Sequence, residues 1–246
     1  GTSTVPKLKG MPLIECLRYR HMIQKTIMIQ GKPFVYNDEL SDIQYDKMEA
    51  ITEEQARKLL LKTKEVFDEV GLEFYLNVGT LLGAVRDHGL IKGDEDVDVF
   101  IDDEEKLFNN LPFFQDNGLY LCRMVRKRLY SFRVGDNSFI DVYILGSLGF
   151  SIWTPWCYRL CTCVTPKRFF KEYQDIDFLG VRCKCVKDPE KILEFWYGKN
   201  WRTPVRGHKF YYEVPSAYYW HSLKKRSKDA VKFCIGWKYW KHLVKE

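Results

Sequence analysis

The chain has 246 residues, 39 Lys and Arg against 33 Asp and Glu, and 46% hydrophobic residues, the balance of a folded chain rather than a disordered one. At this length roughly 70–75% of the unfolded surface leaves water on folding, so neither disulfides nor a metal staple is required for stability. No apolar run approaches the ~18 residues that cross a bilayer, and the first residues lack the apolar core of a signal peptide.

The net charge of +6 is unevenly placed. From Arg182 onward there are 16 Lys and Arg against 6 Asp and Glu, which leaves 23 bases against 27 acids in residues 1–181. Within that acidic body, positions 94–105 hold eight carboxylates and no base. Eight cysteines (16, 122, 157, 161, 163, 183, 185 and 234) are too few for a disulfide scaffold and lack the paired spacing of a zinc ribbon. With no glycosylation sequon, the chain reads as cytoplasmic. The cysteine-rich stretch 157–185 keeps a Golgi-lumen alternative open, as well as zinc binding or disulfides within that stretch.

Residues 1–50 have mixed polarity with turns at Gly10-Met11-Pro12 and Gly31-Lys32-Pro33, and read as an N-terminal helical extension packed on the main domain. Thr52-Glu53-Glu54-Gln55 is a capping box that opens a helix over about 53–70, carrying Ala56, Leu59, Leu60, Val66, Phe67 and Val70 on one face. A short strand over Leu72 to Leu76 leads through the glycine turn at Gly79 into a second helix. Val97 to Ile101 alternates acid and apolar residues as a strand does, and Phe139 to Ile144 is a strand with one embedded acid. Asp102 to Glu105 read as a solvated loop or helix start. Further strands are expected around Leu160–Val164 and Val181–Val186, and a helix with Pro at N1 over Pro189 to Tyr197. Alternating strands and helices predict an α/β (α+β) fold with one mixed sheet flanked by helices. The expected organisation is an extension over 1–50, a catalytic domain over 51–205 and a basic, aromatic helical segment over 206–246.

Asp96 and Asp98 are two apart on a strand and so share a face. Their repulsion, a few kcal/mol at ~4 Å with an effective dielectric near 20, calls for a cation. Hard oxygen ligands suit Mg²⁺ or Mn²⁺ held together with substrate phosphate oxygens. Asp141, if it lies on the adjacent strand, completes a three-carboxylate site. The Gly79-Thr80 turn at a helix N-terminus would let backbone amides approach a phosphate.

The run from Gly79 to Ile91 (GTLLGAVRDHGLI), followed by Asp94-Glu95-Asp96-Val97-Asp98-Val99, resembles the signature of the LicD/fukutin-related phosphotransferase family. Pro189, Leu193 and Tyr197-Gly198-Lys199-Asn200-Trp201-Arg202-Thr203-Pro204 match its second signature, and the likeness covers about 52–205. It implies a nucleotidyltransferase-like fold and transfer of phosphocholine, ribitol phosphate or a similar group from a CDP-linked donor to a glycan hydroxyl, releasing CMP. By the resemblance, Asp96, Asp98 and Asp141 are the metal-binding and catalytic acids, and Gly79, Thr80 and Arg86 lie on the donor-phosphate side. Many members have Pro-Trp before the acidic run; this chain has Lys92-Gly93, which replaces an aromatic platform with a cation. Lys92 is therefore counted among the donor-binding candidates.

The bases Arg123, Arg126, Lys127, Arg128 and Arg133 precede Asp141, and strand alternation would bring some of them, with Arg128 and Arg133 as the chosen candidates, to the donor's diphosphate. Otherwise they form a solvated edge. His88 is a lesser candidate for a general base, and Trp153, Trp156 and Trp201 for stacking or core packing. Residues 222–246 carry Phe233, Trp237, Trp240 and Val244 at helical spacing among lysines, fitting either a docked helix or contact with an anionic membrane surface near a glycolipid acceptor. Nucleic acid is not an expected partner. The rivals are a nucleotidyltransferase adding NMP to a small molecule or protein, and a catalytically silent nucleotide- or glycan-binding protein.

Overall fold

The computed structural model describes residues 23–40, 48–135, 138–147, 157–160 and 163–204. Trp153, Trp156 and the segment 206–246, with its expected helix, lie outside these residues.

In chain order the described elements begin with strands β1 (Ile23–Ile29) and β2 (Lys32–Asp38). They form an antiparallel hairpin turning at Gln30-Gly31, where a helical extension was expected. Both turn residues have positive φ, 48° and 79°, which the glycine accommodates freely. On β2 the buried residues are Phe34, Tyr36 and Asp38, alternating with exposed ones, and that two-residue period commits the segment to strand. The hairpin is tied to the main domain where the amides of Glu39 and Leu40 both donate to the carbonyl of Cys122.

Helix α1 (Glu53–Glu69) starts at the expected capping box: the Thr52 hydroxyl accepts from the Gln55 amide, and Gln55 accepts from Thr52 in return. Its buried face carries Ala56, Leu59, Leu60, Thr63, Val66 and Phe67. Fully burying a leucine or phenylalanine such as Leu60 or Phe67 contributes about 1.5–3 kcal/mol.

The remaining elements are β3 (Tyr75–Leu76), α2 (Val78–Leu82) running into a π-turn (Gly83–Asp87), β4 (Val97–Ile101), α3 (Glu104–Asn109), α4 (Leu111–Asp116), β5 (Tyr120–Val125), β6 (Leu129–Arg133), β7 (Phe139–Ile144), β8 (Gly146–Ser147), β9 (Cys157–Leu160), β10 (Cys163–Pro166), a 3-10 turn (Lys167–Phe170), β11 (Tyr173–Phe178), β12 (Val181–Val186) and α5 (Pro189–Tyr197). Asp103 caps α3 through the Lys106 amide, so the acidic run ends in a helix start. The single strand expected over Leu160–Val164 is instead the two strands β9 and β10, paired antiparallel.

Seven strands form one mixed sheet in the order β11-β12-β3-β4-β7-β6-β5. β4 and β7 are parallel neighbours at its centre, as are β12 and β3, while the other pairs are antiparallel. A separate three-stranded sheet has the order β10-β9-β8. The two faces of the main sheet differ in chemistry. Phe67 of α1 meets Phe132 of β6 and Phe114 of α4. Phe132 pairs with Ile140, which pairs with Val97, so this α1-facing side of the sheet is apolar. Side chains one residue along point to the opposite side, and there Asp98, Asp141 and Ser131 project. That second face continues through Phe100 into a ring cluster with Tyr75, Phe170 and Tyr173, at centroid distances of 5.0, 5.6 and 6.4 Å.

Candidate active site

The three aspartates come together because β4 and β7 are parallel and in register, with Asp98 directly opposite Asp141. Asp96 leads into β4 two residues earlier and projects to the same face. One carboxylate oxygen from each of Asp96, Asp98 and Asp141 lies within 4.8 Å of the others, and all three residues are buried. Two ionised carboxylates at that separation repel by about 3–4 kcal/mol at an effective dielectric of about 20. Burial pushes the carboxyls of Asp96 and Asp98 well above the usual carboxylate range, and the neighbouring acids push them further. The Gly79 amide, hydrogen-bonded to the Asp98 carboxylate, opposes the rise at Asp98.

Asp94 joins this group. Its carboxyl is raised to about 6 by burial and then by Glu95, and its charge also acts on Asp96 and Asp98. Its Oδ2 is buried with no hydrogen-bond partner among the described residues. A β-carbon on Gly79 would stand 3.3 Å from that oxygen and 3.4 Å from Asp98 Oδ2. Only a residue without a side chain lets these two oxygens close on the helix start so tightly. Val78, the residue before, has φ 27°, a strained value for a β-branched residue. The strain therefore lies at the turn that faces the acids.

One base balances part of this charge. Arg123, buried on β5, places Nη2 2.9 Å from Oδ1 and 2.7 Å from Oδ2 of Asp141. Its Nε donates to Ser131 Oγ at 2.9 Å, and Ser131 Oγ in turn donates to Asp141 Oδ1 at 2.5 Å. Arg123 pairs directly with Asp141 and also draws the Asp96 carboxyl down, but a single positive charge does not balance three carboxylates. The remaining negative charge on Asp96 and Asp98, together with the orphaned Asp94 oxygen, fits a divalent cation held by hard oxygen ligands.

The other sequence candidates fall in different places. Thr80 is buried, and its hydroxyl accepts the amide of Asp98 at 2.8 Å; it fixes α2 against β4. Arg86 is turned onto its neighbour Asp87 through two hydrogen bonds of 2.8 and 2.6 Å. Lys92 is exposed in the turn before the acidic run. Arg133 lies on the acid-bearing face of β6 but pairs with Glu39 at 2.7 Å. Arg128 sits in the turn before β6, where its carbonyl accepts the Ile144 amide, three residues along β7 from Asp141 and so about 10 Å away. His88 is exposed with φ 55° and ends the π-turn. Trp201 is core, at 4% exposure.

Cys122, Cys157, Cys183 and Cys185 are buried free thiols, and among the described residues the aspartate triad is the group arranged for a metal. Two functional candidates escaped the sequence reading. Asp94 stood in the acidic run without a role, and its only local signal was its position two residues before Asp96. Arg123 was one of five bases, and what singles it out is strand register.

Residues 71–188 match the family model for the LicD/FKTN/FKRP nucleotidyltransferase domain. This segment is a LicD-family domain. It spans α2, β4 and β7, and so contains all three aspartates. An uncharacterized protein of Rickettsia prowazekii (strain Madrid E) is 38% identical over 63 residues, which cover 25% of this chain and about a quarter (24%) of that protein's length. Among solved structures, the solution structure of antibiotic-resistance factor ANT(2'')-Ia aligns with a TM-score of 0.42 at 13% identity, covering 78% of this chain and 100% of that one. The lincomycin-bound lincosamide antibiotic adenylyltransferase LnuA aligns with a TM-score of 0.41 at 9% identity, covering 72% and 98%. Both likenesses are loose, and the assignment of the LicD domain rests on the family match. No described helix is long and apolar enough to cross a membrane.

Proposed function

We propose that the LicD domain transfers a phospho-alcohol group, such as phosphocholine or ribitol phosphate, from a CDP-linked donor to a hydroxyl of a glycan or glycolipid, releasing CMP. The observation that carries this reading is the convergence of Asp96, Asp98 and Asp141 within 4.8 Å on one buried sheet face. Asp96, Asp98 and Asp141 would hold Mg²⁺ or Mn²⁺, which when bound neutralises the donor's diphosphate and the charge on the departing CMP.

The acceptor hydroxyl oxygen forms a bond to the phosphorus carrying the alcohol. The bond from that phosphorus to the bridging oxygen breaks, CMP leaves with that oxygen and the electron pair, and the acceptor hydroxyl gives up its proton to solvent. The chain's contribution is positional: Gly79 and Thr80 hold α2 against β4, and Arg123 with Ser131 holds Asp141. Arg86 lies in the turn after α2, paired with Asp87. Once Arg86 separates from Asp87, its guanidinium is free to pair with a phosphate oxygen.

The match to a nucleotidyltransferase domain model favours one second reading, transfer of NMP to a small molecule or protein. Products separate the two. Incubation with CDP-choline, CDP-ribitol, CDP-glycerol and CDP-ethanolamine plus Mg²⁺ should release CMP from at least one donor. Pyrophosphate release from CTP or ATP with a nucleotidylated acceptor, and no CMP from any CDP-alcohol, would establish the rival instead.

A further inference from the structure

Asp98, Asp141, Ser131 and Arg123 form a single transverse row across β4, β7, β6 and β5, each residue the register partner of the next. Neighbours in such a row share a face and stand within contact distance. The row is made possible by a bulge in β5. Leu121 pairs with Phe132, but Arg123, not Cys122, pairs with Ser131. In an unbroken antiparallel ladder Arg123 would oppose Tyr130 and project to the apolar side that faces α1. The extra residue moves its guanidinium to the acid-bearing side, the kind of re-aiming that bulges supply beside functional sites. Burying an arginine at 8% exposure costs several kcal/mol unless it is paired, and the pairing here is complete on both oxygens of Asp141 and on Ser131.

We propose that Arg123 and Ser131 are positioning residues for cation binding. They fix the carboxylate of Asp141 in the plane and rotamer that lets it act together with Asp96 and Asp98. This rests on the reading of the three aspartates as a divalent-cation site. Hydrogen-bonded partners behind a ligating group typically govern metal affinity by 10–100-fold. A simple electrostatic role predicts the reverse, because removing a positive charge from beside the site would strengthen cation binding.

The test uses the full chain and Mn²⁺ itself, with free Mn²⁺ read by electron paramagnetic resonance, on wild type, Arg123→Lys and Ser131→Ala. Arg123→Lys keeps the charge and removes the guanidinium geometry; Ser131→Ala removes one neutral partner of Oδ1 and is the mild variant should the lysine form fail to fold. The expected result is Mn²⁺ affinity lower by about 10–100-fold in Arg123→Lys and lower by a smaller factor in Ser131→Ala. With a working donor, kcat should fall while the donor's KM holds. Folded variants that bind Mn²⁺ as tightly as wild type would overturn the positioning role and leave the cation site standing. Failure of wild type itself to bind Mn²⁺ would overturn the cation site, and the positioning role with it.

Discussion

Asp98 and Asp141 face each other across the parallel β4–β7 pair, two buried acids from segments more than forty residues apart in the chain. With Asp96 beside them, the sheet concentrates three carboxylates where an apolar core would otherwise form. Such a cluster is held at a cost in the absence of a cation, and ligand binding to the native state returns stability. At Mn²⁺ or Mg²⁺ concentrations 100-fold above the dissociation constant, the gain is about 2.7 kcal/mol, which corresponds to a Tm rise of about 5–10 °C for a domain of this size. Differential scanning fluorimetry should show that rise in wild type and little or none in Asp96→Asn or Asp98→Asn.

The same carboxyls set a pH dependence. Asp94 is raised to about 6, and Asp96 and Asp98 are raised as well, all chiefly by burial. Their folded-state values lie above the unfolded ones, so between the ordinary aspartate range and about pH 6 the native state binds more protons than the unfolded state. Their contribution to stability is present at low pH and is lost as pH rises through the folded values. With chelator present, Tm should therefore be higher near pH 5.5 than near pH 7.5. Divalent cation should reverse that order by stabilising the ionised triad, and Asp94→Asn should flatten the chelated profile.

Two glycines separate folding from function. A β-carbon at Gly83 would lie 2.5 Å from the backbone carbonyl of Gly89, an overlap with atoms that cannot swing away. Gly83→Ala should cost about 1–3 kcal/mol of stability, read by urea denaturation. The nearest atoms to a β-carbon at Gly79 are carboxylate oxygens of Asp94 and Asp98, which can shift by a few tenths of an ångström. Gly79→Ala should leave the denaturation midpoint nearly unchanged and weaken Mn²⁺ binding about 10-fold.

Thr80 is predicted to act through Asp98. Its hydroxyl is the acceptor for the buried Asp98 amide, and losing it strands a donor at a cost of about 1–3 kcal/mol. Thr80→Val should therefore lower stability by that order in chemical denaturation, whereas Thr80→Ser, which keeps the oxygen, should stay within about 0.5–1 kcal/mol of wild type.

Local signals carried much of this architecture. The capping box at Thr52 and Gln55 marked α1 because both halves of the motif lie within four residues. Asp98 and Asp141 were legible as acids on strands because an ionisable group among β-branched neighbours needs a partner. Thr80 was linked to phosphate by its place in a glycine turn and Arg86 by the family resemblance, but neither tells which acceptor or acid the side chains meet. They meet the Asp98 amide and Asp87. Arg123 could not be singled out, since its place depends on the lateral order β5-β6-β7 and on a bulge, and neither is encoded in a local window. The β1–β2 hairpin did leave a signal in the alternation of Phe34, Tyr36 and Asp38 around Gln30-Gly31. The mixed polarity of the surrounding residues masked it.

The aspartate triad is proposed to support cation-dependent transfer from a CDP-linked donor. The most direct test of this role is CMP release from the four CDP-alcohols by wild type and Asp98→Asn, each with Mg²⁺, with EDTA, and with EDTA followed by excess Mg²⁺. CMP is expected from at least one donor in wild type, with its loss in EDTA, its return with Mg²⁺, and no more than a few per cent of that rate in a folded Asp98→Asn. CMP release that survives EDTA, or an Asp98→Asn variant as active as wild type, would contradict this role.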